Sequence, residues 1–249
     1  MRYQPPLPFA DYLLMERIGV GGTAEIFRAV RRGRRPGDQP VALKRLLPHI
    51  ADDPDIVSIL GREVGALERI DHPNVVRLLD HGTHRGLPYL VMELVDGRNL
   101  RDLLGPRSEA PGQRPVLPPA LALWVAHELA CALAEAGRQG IIHRDVSPTN
   151  VQLTMDGDVK ILDFGIARVR GMAQTTHGGA MRGKWAYCSP EQVEGMVLDP
   201  RSDLFALGSV LFEMIAGRPP FLGDDRQLTM GLVAAANYRG LGVVDLELA

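Results

Sequence analysis

Lysine is scarce in this chain: of its 28 basic residues, only Lys44, Lys160 and Lys184 are lysines and the other 25 are arginine. A lysine that stands against such a bias raises a chemical question, whether its site needs a compact ammonium rather than a planar guanidinium fork. Cysteine is scarcer still. Cys131 and Cys188 lie far apart without metal-ligand spacing, which excludes a disulfide framework and makes a reducing compartment, the cytoplasm, the expected location. No stretch is expected to reach the roughly 18–20 apolar residues of a membrane span. The proline-rich start from Met1 to Ala10 also lacks the apolar core of a signal peptide. Strong charge of either sign is missing too: the net charge is −2, which gives no case for nucleic-acid binding. The basic run from Arg31 to Arg35 is broken by Gly33 and followed by Pro36 and Gly37, so it reads as a solvated hairpin loop.

What is present is a chain of 249 residues, 45% hydrophobic and 23% charged, in the range of globular proteins and large enough for one large domain or two lobes sharing a cleft. From Tyr12 to Leu47 the pattern is strands and turns, with the glycine-rich stretch Gly19-Val20-Gly21-Gly22-Thr23-Ala24 between two of them. Glycines in such a turn let backbone N–H groups approach phosphate oxygens, although a plain tight hairpin explains them equally well. Asp55 to Ile70 has helical periodicity, with Glu63 beside the apolar face, where it can pair with Lys44 or form an ordinary surface ion pair. Val75–Leu79 and Leu87–Glu93 read as further strands, giving a five-stranded antiparallel sheet with one helix. Leu94 to Gly97 reads as a linker, after which helices dominate: Asn99–Leu104, Ala120–Arg138, Ser202–Ala216 capped by Ser202, and Asp224–Ala236. His127 and Glu128 are expected at the surface or its boundary. A small hairpin, Val151–Leu153 with Val159–Leu162, turns at Asp156-Gly157.

The densest cluster of reactive residue types is His143-Arg144-Asp145-Val146-Ser147-Pro148-Thr149-Asn150. Asp145 and Asn150 can set a proton acceptor next to a metal ligand, or they can cap a helix and close an Asx-turn. Asp163-Phe164-Gly165 closes the hairpin that follows. The long polar segment Ile166–Tyr187, with Thr175 and Thr176 near its tip, then leads to Ser189-Pro190-Glu191.

In order and spacing these pieces resemble the eukaryotic-type serine/threonine protein kinases, bacterial members included, from about Tyr12 to about Phe221. Val41-Ala42-Leu43-Lys44 is similar to the family's Val-Ala-Ile-Lys strand and Glu63 to its helix glutamate. His143-Arg144-Asp145 with Asn150 is similar to the catalytic loop, Asp163-Phe164-Gly165 to the metal motif, and Ser189-Pro190-Glu191 to the Ala-Pro-Glu end of the activation segment. The resemblance implies an α+β, two-lobe kinase fold, with a small antiparallel-sheet N-lobe over residues 12–94 after a tail (1–11), and a mainly helical C-lobe over 95–249. It implies Mg-ATP as phosphoryl donor, a protein hydroxyl as acceptor, and these roles: Lys44, oriented by Glu63, on the α- and β-phosphates; Asn150 and Asp163 on Mg²⁺; Asp145 as base. Gly19 and Gly21 would cover the phosphates, Ile18, Ile26, Ala42 and Met92 would line the nucleotide pocket, backbone groups at Glu93 and Val95 would meet adenine, and Asn99 the ribose. Arg144 would meet a phosphate added, by self-phosphorylation among other routes, to Thr175 or Thr176. A nucleotide-binding pseudokinase or interaction module is the alternative.

Three departures from the family pattern stand out. Ala24 replaces the third loop glycine. Ser147 stands where serine/threonine kinases carry a lysine that sits near the γ-phosphate, while Lys184 stands where they carry a threonine. The two positions lie close to the catalytic aspartate in the family, so Lys184 is expected to supply the missing charge; Lys160 is expected on a strand surface. Finally, the family continues past the counterpart of Phe221 through further helices, one bearing an arginine that pairs with the counterpart of Glu191. The C-lobe is therefore expected to be truncated, to leave Glu191 unpaired, and to be less stable for it.

Overall fold

The computed structural model describes residues 6–33, 38–105, 116–164 and 184–236. The chain divides into two compact units, Met1–Asp71 with Val76–Asp96, and His72–Val75 with Gly97–Ala249.

The first unit is an antiparallel sheet of β1 (Leu7–Phe9), β2 (Tyr12–Val20), β3 (Ala24–Arg31), β4 (Val41–Leu46), β5 (Leu78–His84) and β6 (Leu87–Glu93), in the order β1-β2-β3-β4-β6-β5. Alternation along the strands sends Leu14, Ala29, Leu43 and Val91 into one cluster with Phe9, Tyr12 and Tyr89. Two expectations are corrected. Residues 1–11, read as a tail, contain β1, so the sheet has six strands and not five; Phe9 is buried in the cluster, its ring edge-on to Tyr89 at 5.4 Å. The strand expected at Val75–Leu79 runs instead over Leu78–His84, paired to β6 through a two-residue turn at Arg85 and Gly86, both with positive φ. Val75 and Val76, which suggested the strand, are core side chains of the link before it. Helix α1 (Pro54–Leu67) starts at Asp53, whose carboxylate accepts from the Asp55 and Ile56 N–H groups. It buries Ile56, Ile59, Leu60 and Leu67, and Glu63 with them.

The second unit is mainly helical. Its small sheet joins β7 (Gly97–Asn99), β8 (Val151–Thr154) and β9 (Val159–Ile161). Gly97, expected in a linker, is a strand residue that approaches β8 so closely that a Cβ would lie 2.1 Å from the Leu153 carbonyl oxygen. Helices α2 (Leu100–Leu103), α3 (Pro119–Arg138), α4 (Pro190–Glu194), α5 (Arg201–Ala216) and α6 (Arg226–Ala234) complete the described part. Among the described residues α3 is long and apolar enough to cross a membrane, which corrects the expectation that no stretch is. Its Val125, Leu129 and Leu133 are buried and it packs against α5, as a core helix does. Ser202 does not cap α5, whose N-cap is Pro200. It lies in the first turn, buried, with its hydroxyl donating to the Glu191 carboxylate. Glu191 is thus engaged rather than unpaired: burial works against its charge, but hydrogen bonds from the Ser202 hydroxyl, its own backbone N–H and the Ser189 side chain together hold the carboxyl below its usual range.

Candidate active site

In the first unit, three neighbouring strands bring Gly19, Ile26 and Lys44 into register, and Ala42 lies opposite Met92 across β4 and β6. Lys44 reaches Glu63 of α1 with a 2.7 Å ion pair, the side chains 13% and 6% exposed. Gly19 and Gly21 do not have positive φ. A Cβ would make ordinary contacts, 3.5 Å to Ile26 Cδ1 from Gly19 and 3.6 Å to the Ala24 carbonyl oxygen from Gly21. Neither backbone conformation nor packing within the unit demands glycine at these positions, which is the condition under which a ligand's close approach explains them. Ile18 is exposed and Ala42 and Met92 are buried. The Glu93 N–H donates to the Arg77 carbonyl at 3.0 Å, so it is not a donor for a base; its carbonyl is the group that could meet one.

In the second unit the catalytic-type loop is held from two sides. Asp203, at the start of α5, accepts the His143 N–H at 2.7 Å and the Arg144 N–H at 2.8 Å. Gln192 donates to the Arg144 carbonyl at 2.9 Å and closes the capping box of α4 with Ser189. Burial pushes the Asp203 carboxyl up, against the pull of His143 and the two loop N–H groups. His143 is fully buried, and burial lowers its pKa against the carboxylates of Asp203 and Asp145. The neutral ring accepts the Asp145 N–H at Nδ1 (3.2 Å) and donates from Nε2 to the Leu162 carbonyl (3.0 Å), while Phe164 packs on it with ring centroids 4.7 Å apart. Arg144 and Asp163 both adopt positive φ, +68° and +44°, a left-handed conformation that non-glycine residues hold only where surroundings impose it.

The Asp145 carboxylate is the centre of this arrangement. Its Oδ2 accepts from Asn150 Nδ2 at 2.9 Å and from Lys184 Nζ at 2.5 Å. Asn150 Nδ2 also donates to the Asp145 carbonyl at 2.8 Å, which leaves the amide oxygen as the atom for a cation. The Leu162 N–H donates to the Asn150 carbonyl at 2.8 Å, so Asp163 follows directly on the residue bonded to Asn150. A carboxylate and an amide oxygen are hard donors that suit Mg²⁺, which completes its shell with phosphate oxygens and water. Among the described residues no group of three His, Cys, Asp or Glu side chains is arranged to hold a metal. Asn99 uses one bond at each amide atom within the unit: Oδ1 caps α2 by accepting the Arg101 N–H at 2.9 Å, and Nδ2 donates to the Thr149 carbonyl at 2.6 Å. Gly165, Thr175 and Thr176 lie outside the described residues.

Asp203, Gln192 and a buried group comprising Arg101, Glu213 and Tyr187 went unnoticed in the sequence. Glu213 is fully buried, accepting from Arg101 Nη1 at 2.8 Å and from the Tyr187 hydroxyl. The available signal was a lone carboxylate inside the apolar run of α5, since an acidic residue there requires partners. Glu128, expected near the surface, accepts from Asn74 Nδ2 at 2.9 Å.

Comparison with known proteins gives a consistent result. The family model described as protein kinase domain matches residues 12–239. The serine/threonine-protein kinase PknL of Mycobacterium tuberculosis is 37% identical over 213 residues, covering 86% of this chain and 51% of the relative. The tyrosine-protein kinase MasK of Myxococcus xanthus is 36% identical over 222 residues, 86% of this chain and 34% of that protein. The chain thus spans about half or less of the length of these relatives. Among solved structures, the Mycobacterium tuberculosis PknI kinase domain superposes with a TM-score of 0.68 at 31% identity, covering 90% of this chain and 80% of the other.

Proposed function

The chain belongs to the protein kinase family, and we propose that it transfers the γ-phosphoryl group of Mg-ATP to serine or threonine hydroxyls of protein substrates. The observation that carries this reading is the Asp145 carboxylate fixed between the Asn150 amide and the Lys184 ammonium, on a loop immobilised by Asp203 and Gln192. Phosphoryl transfer has a loose transition state, so catalysis is largely positioning and charge neutralisation. Lys44, aligned by Glu63, would hold the α- and β-phosphates; Gly19 and Gly21 would give their backbone room to approach. Asn150 and Asp163 would hold Mg²⁺, which supplies positive charge against the β- and γ-oxygens. Asp145 would orient the acceptor hydroxyl and take its proton. Ile18, Ile26, Ala42 and Met92 would enclose the base, with the Glu93 carbonyl and Val95 at its edge.

Retention of Lys44, Glu63, Asp145, Asn150 and Asp163 favours an enzyme over a pseudokinase. Pro148 supports the serine/threonine assignment. Thr175 and Thr176 are the proposed self-phosphorylation sites, with Arg144 as partner of the added phosphate. Two cysteines unpaired in a disulfide fit a reducing compartment such as the cytoplasm. Incubating the purified protein with γ-labelled ATP and a general protein acceptor tests the reading, with Asp145→Asn as control and phosphoamino acid analysis of the product. Label above the control, on serine or threonine, is expected. Equal label in both proteins would end the enzyme reading, and phosphotyrosine alone would change the acceptor.

A further inference from the structure

We propose that Lys184 is the cation that neutralises the transferred phosphoryl group, delivered from the turn before α4 and not from the catalytic loop; this rests on the kinase reading above. Position 147 cannot supply that charge. Ser147 is 2% exposed, with its hydroxyl 2.9 Å from Thr149 Oγ1 and 3.5 Å from the Asp145 carbonyl. Lys184 approaches the same aspartate from another element, its Nζ on Asp145 Oδ2 at 2.5 Å, its side chain 36% exposed. An ammonium has three donors. With one on the base, two remain to meet the phosphoryl oxygens that approach the hydroxyl held by that base.

The turn that carries Lys184 is built to stay in place. Trp185–Tyr187 form one 3₁₀ turn, the Cys188 N–H donates to the Trp185 carbonyl at 3.2 Å, and the Arg226 guanidinium lies 4.6 Å from the Trp185 ring centroid. The Tyr187 hydroxyl donates to Glu213, which Arg101 neutralises. Tyr187, Glu213 and Arg101 are therefore positioning residues for Lys184. The choice of lysine in a chain with 25 arginines suits a compact, strongly hydrated point charge that must share one carboxylate oxygen with an amide.

In the step, the acceptor oxygen forms a bond to the γ-phosphorus while the bond from that phosphorus to the β–γ bridging oxygen breaks. The bridging oxygen keeps the electron pair and leaves with ADP, and the hydroxyl proton passes to the Asp145 carboxylate. Lys184 gives up no proton; it stabilises the charge spread over the equatorial oxygens in transit.

The test measures kcat and the KM for ATP of the wild type, Lys184→Thr, the exchange variant Ser147→Lys/Lys184→Thr, and Lys160→Thr as a control on lysine removal. Melting temperature and binding of a fluorescent ATP analogue are recorded for each. Removal of Lys184 should cut kcat by about 100-fold or more, the range for deleting one preorganised donor to a transition-state oxyanion. Nucleotide binding and melting temperature should stay close to wild type, because Lys184 is partly exposed. The exchange variant should regain at least about tenfold of the loss, a recovery a merely structural role would not give. Lys184→Thr turning over within about threefold of wild type overturns the inference while leaving the kinase reading standing; this holds even if the exchange variant fails to fold. A folded exchange variant that recovers nothing also counts against it. A wild type no better than Asp145→Asn removes the kinase reading and this inference together.

Discussion

Two lysine–carboxylate pairs organise the two units, and they differ in what holds them. Lys44 and Glu63 are joined by regular structure, a strand and the helix packed on its sheet, and both side chains are nearly out of solvent at 13% and 6% exposure. Lys184 and Asp145 are joined by a loop and a 3₁₀ turn, and Lys184 is 36% exposed. Two charges removed from water must satisfy each other, and losing one partner is costly. A pair with its ammonium 36% and its carboxylate 14% exposed is screened more than the Lys44 pair and contributes less to folding, so its persistence needs another reason. The difference separates a pair that serves both stability and orientation from one whose use is chemical.

The comparison breaks most visibly at Asp145. Asp145→Asn keeps the shape and can still accept from Lys184 and Asn150, but loses the basicity, so labelled-phosphate transfer should fall by about 10²–10⁴-fold. Its melting temperature should barely move, because the loop is held by Asp203 and Gln192 and not by the Asp145 carboxylate. Next in size is the stability contrast between the pairs. Lys44→Met leaves Glu63 buried without its ammonium and should destabilise the protein by about 3 kcal/mol in urea unfolding. Lys184→Thr should cost less than about 1 kcal/mol. Equal losses in the two variants would erase the distinction.

How much of this was readable in the sequence depended on the same distinction. Lys44, Glu63, Asp145, Asn150 and Asp163 sit in short motifs whose spacing carries the chemistry, and the Lys184–Asp145 contact was approached through an anomaly, a rare lysine facing a missing one. Helix α1 and the β8–β9 hairpin were legible from periodicity and an Asp-Gly turn. Strand β5 was not, because Asp80, His81, Gly82, Thr83 and His84 leave neither face apolar and its place is fixed by pairing with β6 and by distant side chains such as Tyr12, whose hydroxyl donates to Asp80. Nor was β1, a three-residue edge strand among prolines. Asp203, which holds the loop, and Glu213, which holds Tyr187 in the turn after Lys184, were missed because they are polar residues inside an apolar helix. Their partners, 26–112 positions away, have no trace in local pattern.

A smaller effect concerns the Glu191 carboxylate and the hydroxyl that donates to it. Glu191 is kept charged chiefly by the Ser202 hydroxyl, which holds its pKa below the usual 4.5 in the folded chain. Below about pH 4.5 the unfolded chain takes up a proton that the folded chain resists, so the stability contributed by this contact is present above that pH and lost as pH falls through the lowered value. Ser202→Ala removes the hydroxyl. Its melting temperature should lie below wild type at pH 7, with the gap narrowing as pH falls below the usual 4.5. A gap independent of pH would mean that Ser202 acts by packing alone.

The finest test returns to the Lys44 pair through Gly19, which lies in register with Ile26 and, one strand further, with Lys44. A Cβ at Gly19 would come no closer than 3.5 Å to Ile26 Cδ1, and the residue does not have positive φ. Gly19→Ala therefore meets no steric penalty in the folded chain and removes conformational freedom from the unfolded one. Its stability should stay level or rise by about 0.4–1 kcal/mol. The methyl would nonetheless stand where the backbone must approach phosphate oxygens if Gly19 covers them, so the KM for ATP should increase while stability does not fall. A destabilised Gly19→Ala with unchanged KM would assign the glycine to the sheet and detach it from the nucleotide. The opposite result would tie β2, two strands from Lys44, to the same substrate that Asp145 and Lys184 are proposed to serve in the second unit.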